Sequence, residues 1–91
     1  MNCFLVESYT TRSAAIDEIK ARARRAAGGT TVQYVRSIFV PTDEICFHLL
    51  DAPDAGDVGA VMRAAGIAAQ RIVEVDEVRR PRRTVGDNPT R

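Results

Sequence analysis

The hydrophobic pattern of this chain alternates between the two-residue period of a strand and the longer period of a helix, which restricts the folds open to it more than any motif does. Cys3-Phe-Leu-Val-Glu-Ser-Tyr9 alternates and is rich in strand formers, predicting a first strand. From about Ser13, Ile16, Ile19, Ala23 and Ala26 recur at helical spacing. Thr11 or Ser13 caps this first helix, Asp17 and Glu18 suit its early turns, and Gly28-Gly29 ends it. Lys20, Arg22, Arg24 and Arg25 fall late in it, where cations match the negative helix end and form a solvated face. Thr31 to Val40 reads as a second strand, Pro41-Thr-Asp43 as a turn, and Glu44 to about Asp51 as a third strand. Pro53-Asp54 opens a second helix, with Asp54 and Asp57 at capping spacing, an apolar stripe of Val58, Val61, Met62 and Ala65, and Gly66 as its stop. Gln70 to Val78 is the fourth strand. The order βαββαβ with right-handed crossovers predicts a four-stranded antiparallel sheet, order 4-1-3-2, with both helices on one face.

Ninety-one residues make one domain, near the lower size limit for folding without disulfides or metal. Three Phe, two Tyr and no Trp leave the core to Val, Ile, Leu and Ala, and dimerisation is a common remedy for so thin a core. The net charge of +1 is unevenly spread: residues 79–91 hold five Arg against one Asp, while residues 1–78 are mildly acidic. The domain is therefore 1–78, followed by a basic tail that breaks at Pro81, has no periodicity and is expected to be disordered. Nucleic-acid binding by the domain is not suggested. Cys3 and Cys46 form no CxxC pattern, no signal peptide is expected, and no apolar run reaches the length of a membrane span. A reducing cytoplasm is the simplest expectation.

The middle of the third strand contains His48, the only histidine. Alternation assigns Phe4, Val6, Ile45, Phe47, Leu49, Val73 and Val75 to the helix-covered face, joined by Val35 and Phe39. The opposite face then receives Leu5, Glu7 and Tyr9; Cys46, His48 and Leu50; Tyr34, Arg36 and Ile38; and Ile72, Glu74 and Asp76. That set is too apolar to leave in water and calls for a partner or ligand. Closing the hairpin at 41–43 sets Val40 opposite Glu44 and Arg36 opposite His48. Running the first and third strands parallel and level sets Glu7 beside His48, with Glu74 near Glu7. Glu74, Glu7, His48 and Arg36 then form one row.

Such a row has three readings. It is a satisfied polar network that fixes dimer register; or Glu7, His48 and Glu74 hold a divalent transition metal, with Cys46 nearby; or Arg36, His48, Tyr34 and Cys46 line a pocket for an anionic or polar small molecule. Glu and His together can transfer protons, yet the chain has no nucleophile elbow, no GxGxxG and no phosphate loop.

Phe4-Leu-Val-Glu7, Tyr34-Val-Arg-Ser-Ile-Phe-Val40, Cys46-Phe-His-Leu-Leu-Asp-Ala-Pro53 and Arg71-Ile-Val-Glu-Val75 occur in order with gaps that resemble those of the small bacterial nickel-binding protein family, over roughly residues 3–78. The resemblance implies a ferredoxin-like α+β fold whose sheets pair face to face in a dimeric α+β barrel. It also implies acidic ligands at the positions of Glu7 and Glu74, and a ligand at His48, where the family carries Cys. Arg36 departs from the family's His, removing a ligand and adding a positive charge. The role implied is nickel sequestration or response without catalysis. The expectation is a cytoplasmic homodimer that contacts through its sheet, away from membranes, with a candidate nickel site inside. The alternative is an organic ligand or monooxygenase-like chemistry in the same barrel.

Overall fold

The structure, a computed structural model, describes residues 1–10 and 16–76. Its elements are β1 (Asn2–Tyr9), α1 (Ile16–Ala27), β2 (Gln33–Val40), β3 (Ile45–Ala52), α2 (Ala55–Ala65) and β4 (Ala69–Val75). The four strands form one sheet in the order β2-β3-β1-β4, and all neighbouring pairs are antiparallel. This is the ferredoxin-like α+β arrangement expected from the order of elements. The expected cap of the first helix at Thr11 or Ser13, and the basic tail, lie outside the described residues.

Local chemistry explains the helix ends. Asp54 caps α2 by accepting a hydrogen bond from the Asp57 backbone N–H at 3.0 Å. Gly66 ends α2 in the left-handed region (φ 72°), its N–H donating to the Arg63 carbonyl, while Ile67 N–H returns to the Met62 carbonyl at 2.9 Å. Acidic residues occupy the first turn of α1 and arginines its last, as the helix dipole favours. Arg22 reaches from α1 to donate from Nε to the Ala65 carbonyl at 2.8 Å, fastening the two helices together.

The core lies between sheet and helices. Phe4 and Val6 of β1, Leu50 and Ala52 of β3, Val58, Val61, Met62 and Ala65 of α2, and Ala23 and Ala27 of α1 are all buried there. Small alanines let the helices approach closely, so the scarcity of aromatics leaves a compact interior.

The strand registers correct the expected faces. The first pair of the β2–β3 hairpin is Val40 with Ile45, not with Glu44. Glu44 belongs to the turn, in the left-handed region (φ 54°), with its N–H directed to the Pro41 carbonyl. One extra turn residue moves every β3 side chain to the opposite face. β1 and β3 also run antiparallel rather than parallel, because the α1 crossover returns β2 in the direction of β1 and the hairpin then reverses the chain. Val6 therefore faces His48 and Leu5 faces Leu49. In β4, Ile72 and Glu74 pair with Val6 and Phe4 on the helix side, leaving Val73 and Val75 on the far face.

β2 divides differently. Its register shifts between Tyr34 and Arg36, so Tyr34 and Ser37 pair with Leu50 and His48 on the helix side although they are three positions apart. Arg36 and Ile38 keep their expected places on the far face, and Phe39 its place under the helices.

Replacing Gly66 by Ala is expected to lower stability by about 1 kcal/mol, since a Cβ is strained at this backbone angle. Chemical denaturation of the variant checks it; an unchanged midpoint would show that the α2 terminus relaxes without cost.

Candidate functional site

Three strands bring their polar residues together beneath the helices. β1 continues its buried face from Phe4 and Val6 to Ser8; β2 supplies Tyr34 and Ser37 across its bulge; β3 supplies Cys46 and His48. His48 is 0% exposed. Its Nδ1 lies 2.6 Å from Ser37 Oγ and its Nε2 3.3 Å from Ser8 Oγ. The Tyr34 hydroxyl lies 2.6 Å from Ser37 Oγ, and Ser8 Oγ donates to the Cys46 carbonyl at 3.3 Å.

One assignment of hydrogens satisfies every member. Tyr34 O–H donates to Ser37, Ser37 O–H donates to Nδ1, Nε2–H donates to Ser8, and Ser8 O–H donates to the Cys46 carbonyl. This requires a neutral imidazole carrying its proton on Nε2. Burial, which disfavours the charged imidazolium, pushes the His48 pKa down from 6.5 to about 4, in agreement with that state. The Cys46 thiol is pushed up by burial, partly offset by the ammonium of Lys20, so it is a poor nucleophile at neutral pH. Over the outer end of the chain, the Arg24 guanidinium sits 5.2 Å from the centre of the Tyr34 ring, a cation–π contact that orients the phenol.

The predicted row of Glu74, Glu7, His48 and Arg36 is not assembled. Glu7 lies on the far face, opposite Phe47 and Arg71, its carboxylate 3.9 Å from Arg71 Nη1. Arg36 is on that face opposite Leu49. Glu74 is exposed at the β4 edge on the helix side, opposite Phe4, and lines a groove of about 350 Å³ with Cys3, Asp51 and Asp76. His48 and Cys46 share the helix side with Tyr34. The pocket reading paired Arg36 with His48, which the sheet now separates. A different polar network surrounds His48: it lies on the helix side, away from any dimer face, and its partners are hydroxyls and not the expected carboxylates and guanidinium. A signal for those partners was present: Ser8 continues the Phe4–Val6 alternation, and Ser37 sits three residues from Tyr34, a spacing that shares a face only across a bulge.

The far face is the other distinctive surface. Leu5, Phe47, Leu49, Ile38 and Val73 cover its centre, with Ile38 47% exposed. Glu7, Arg36 and Arg71 lie among them, and Asp51 stands on the same face toward its Cys3 end. A face this apolar is unusual for a surface that meets only water.

A family model described as nickel responsive protein SCO4226-like matches residues 4–75. Among solved structures, the crystal structure of SCO4226 from Streptomyces coelicolor A3(2) is similar with a TM-score of 0.76 at 18% identity, covering 85% of this chain and 99% of that one. No curated protein matches the chain. At that identity the structural likeness speaks for the shared fold.

The depressed His48 pKa makes a signed prediction. Between pH 6.5 and about 4 the unfolded chain takes up a proton on His48 that the folded chain refuses, so stability falls as pH drops through that window and levels below it. The loss is at most on the order of 3 kcal/mol. Urea denaturation at pH 7 and pH 4.5 should show a steeper loss for the native chain than for His48→Gln; equal slopes would mean that the imidazole is not shielded. Tyr34→Phe removes the first donor of the chain and is expected to cost about 1 kcal/mol, measured the same way.

Proposed function

This chain belongs to the nickel-responsive SCO4226-like family, and from that premise we propose that it is a non-catalytic, nickel-related binding protein that works as a homodimer joined through the far face of its sheet. The apolar far face carries this reading. Ile38, which is exposed, and the half-buried Leu5, Phe47 and Val73 form, around the nearly enclosed Leu49, a surface that the helices of the same protomer do not cover. A second copy laid against it removes both apolar surfaces from water. The thin core supports the same conclusion, because a chain of this size gains from sharing an interface.

The absence of a catalytic role is argued from chemistry. A general base works best with a pKa near the working pH, whereas His48 is held well below it. The buried thiol of Cys46 is held protonated. Neither carboxylate singled out in the sequence stands within the imidazole's hydrogen-bonded chain.

The described residues of one protomer do not fit a nickel centre. Among the described residues no three His, Cys, Asp or Glu side chains lie together in a way that could hold an ion. Glu7 faces the proposed dimer interior but is paired with Arg71, whose charge opposes a dication. Any direct metal contact in this reading is therefore completed by the second copy, and binding tracks dimerisation.

Two measurements test this. Light scattering of tag-free protein at micromolar concentration is expected to give a dimer, and Ile38→Glu to give a folded monomer, since a buried unpaired charge weakens association by roughly 2 kcal/mol or more, about thirtyfold in Kd. Metal analysis after nickel loading and buffer exchange should find nickel on the native protein and far less on the Ile38→Glu monomer. A native monomer, or a native protein that retains no nickel, overturns the reading.

A further inference from the structure

We propose that His48 is not a metal ligand in this protein but the central tie of an internal hydroxyl chain, so that any divalent ion the protein takes up is held without an imidazole. This bears on the nickel reading above by removing the chain's sole histidine from the ligand set, yet it can stand or fall separately.

Access and existing partners both keep a metal from this ring. An imidazole binds a metal through a lone pair aimed at the ion, at about 2.0–2.1 Å. On His48 Nδ1 already meets Ser37 at 2.6 Å and Nε2 meets Ser8, and the residue is fully buried. A metal at either nitrogen must displace a buried hydroxyl from the ring, leaving Ser37 only its Tyr34 partner or Ser8 only the Cys46 carbonyl and breaking the donor order that runs between them. Neither carboxylate expected beside it is placed to help. Glu7 projects from the opposite face of the sheet. Glu74 lies two strands away and two residues along, which puts the backbones on the order of 12 Å apart at ordinary strand spacings. A second copy on the far face is no closer, because the sheet lies between it and the imidazole.

The surroundings of His48 are built for hydrogen bonding instead. The β2 bulge brings both Tyr34 and Ser37 to the helix side, where a regular strand would present only one of them. β1 places Ser8 at the other nitrogen. Three strands thus converge on one ring, and the ring links them across the sheet.

Because the chain has one histidine, tag-free protein offers an unambiguous readout. X-ray absorption of the nickel-loaded protein is expected to show no imidazole scattering. Nitrogen NMR should show His48 as the Nε2–H tautomer before and after nickel addition. His48→Gln, if it folds, should retain the nickel stoichiometry of the native protein. Imidazole scattering, a His48 resonance lost or moved by direct coordination, or a folded His48→Gln that no longer takes up nickel would overturn the inference. A protein that takes up no nickel, with its imidazole spectrum unchanged, would sink the nickel reading and support the assignment of His48.

Discussion

A ring that is both polar and wholly enclosed must have each of its nitrogens satisfied, and the fold around His48 is organised to meet that demand. Ser37 and Ser8 sit on β2 and β1, the two strands that flank β3, and each presents a hydroxyl to one nitrogen. Leaving either nitrogen unpaired would cost about 1–3 kcal/mol, a large part of the stability of so small a domain. The requirement propagates outward. Ser37 must reach the helix side, so β2 carries a bulge, and the bulge in turn sends Tyr34 to the same side, where Arg24 of α1 covers its ring. One buried imidazole therefore couples the strand geometry to the seating of a helix.

The two faces of the sheet consequently serve different ends. The helix side is closed around His48, where apolar residues pack and Tyr34, Ser37, His48 and Ser8 are joined in a single hydrogen-bonded order, and Glu74 stands exposed at its β4 edge. Among the described residues the far face is apolar at its centre and has no such cover, and its charges are Glu7, Arg36, Asp51 and Arg71. A surface of this kind is suited to another surface rather than to a small reacting molecule, and this distinction favours a binding role. Membership of a nickel-responsive family agrees with that class of function. The donors that sequence reasoning had grouped around one ion are instead divided between the two faces by the thickness of the sheet.

The division also shows how much can hang on a turn. Glu44 reads as a strand residue, being followed by an unbroken apolar run, but it adopts a left-handed conformation and lengthens the hairpin by one position. Non-glycine residues enter that region rarely, so residue type offers no warning. With side chains alternating at every residue, a slip of one position exchanges the whole of β3: Cys46, His48 and Leu50 go inward, and Ile45, Phe47 and Leu49 outward. Both sets are apolar enough to occupy either face, which is why the pattern alone could not choose.

By itself the sequence determined the number, type and order of elements, because the change of hydrophobic period, the Asp54 cap and the Gly66 stop act locally and each involves residues close along the chain. It also determined that the sheet would carry more apolar surface than two short helices can cover. Only the tertiary structure decided which neighbours each strand residue meets, since register depends on turn conformation, a bulge and pairing between segments distant in sequence. That choice removed His48 from Glu7 and gave it to Ser8 and Ser37, turning an apparent ligand set into an internal tie between strands.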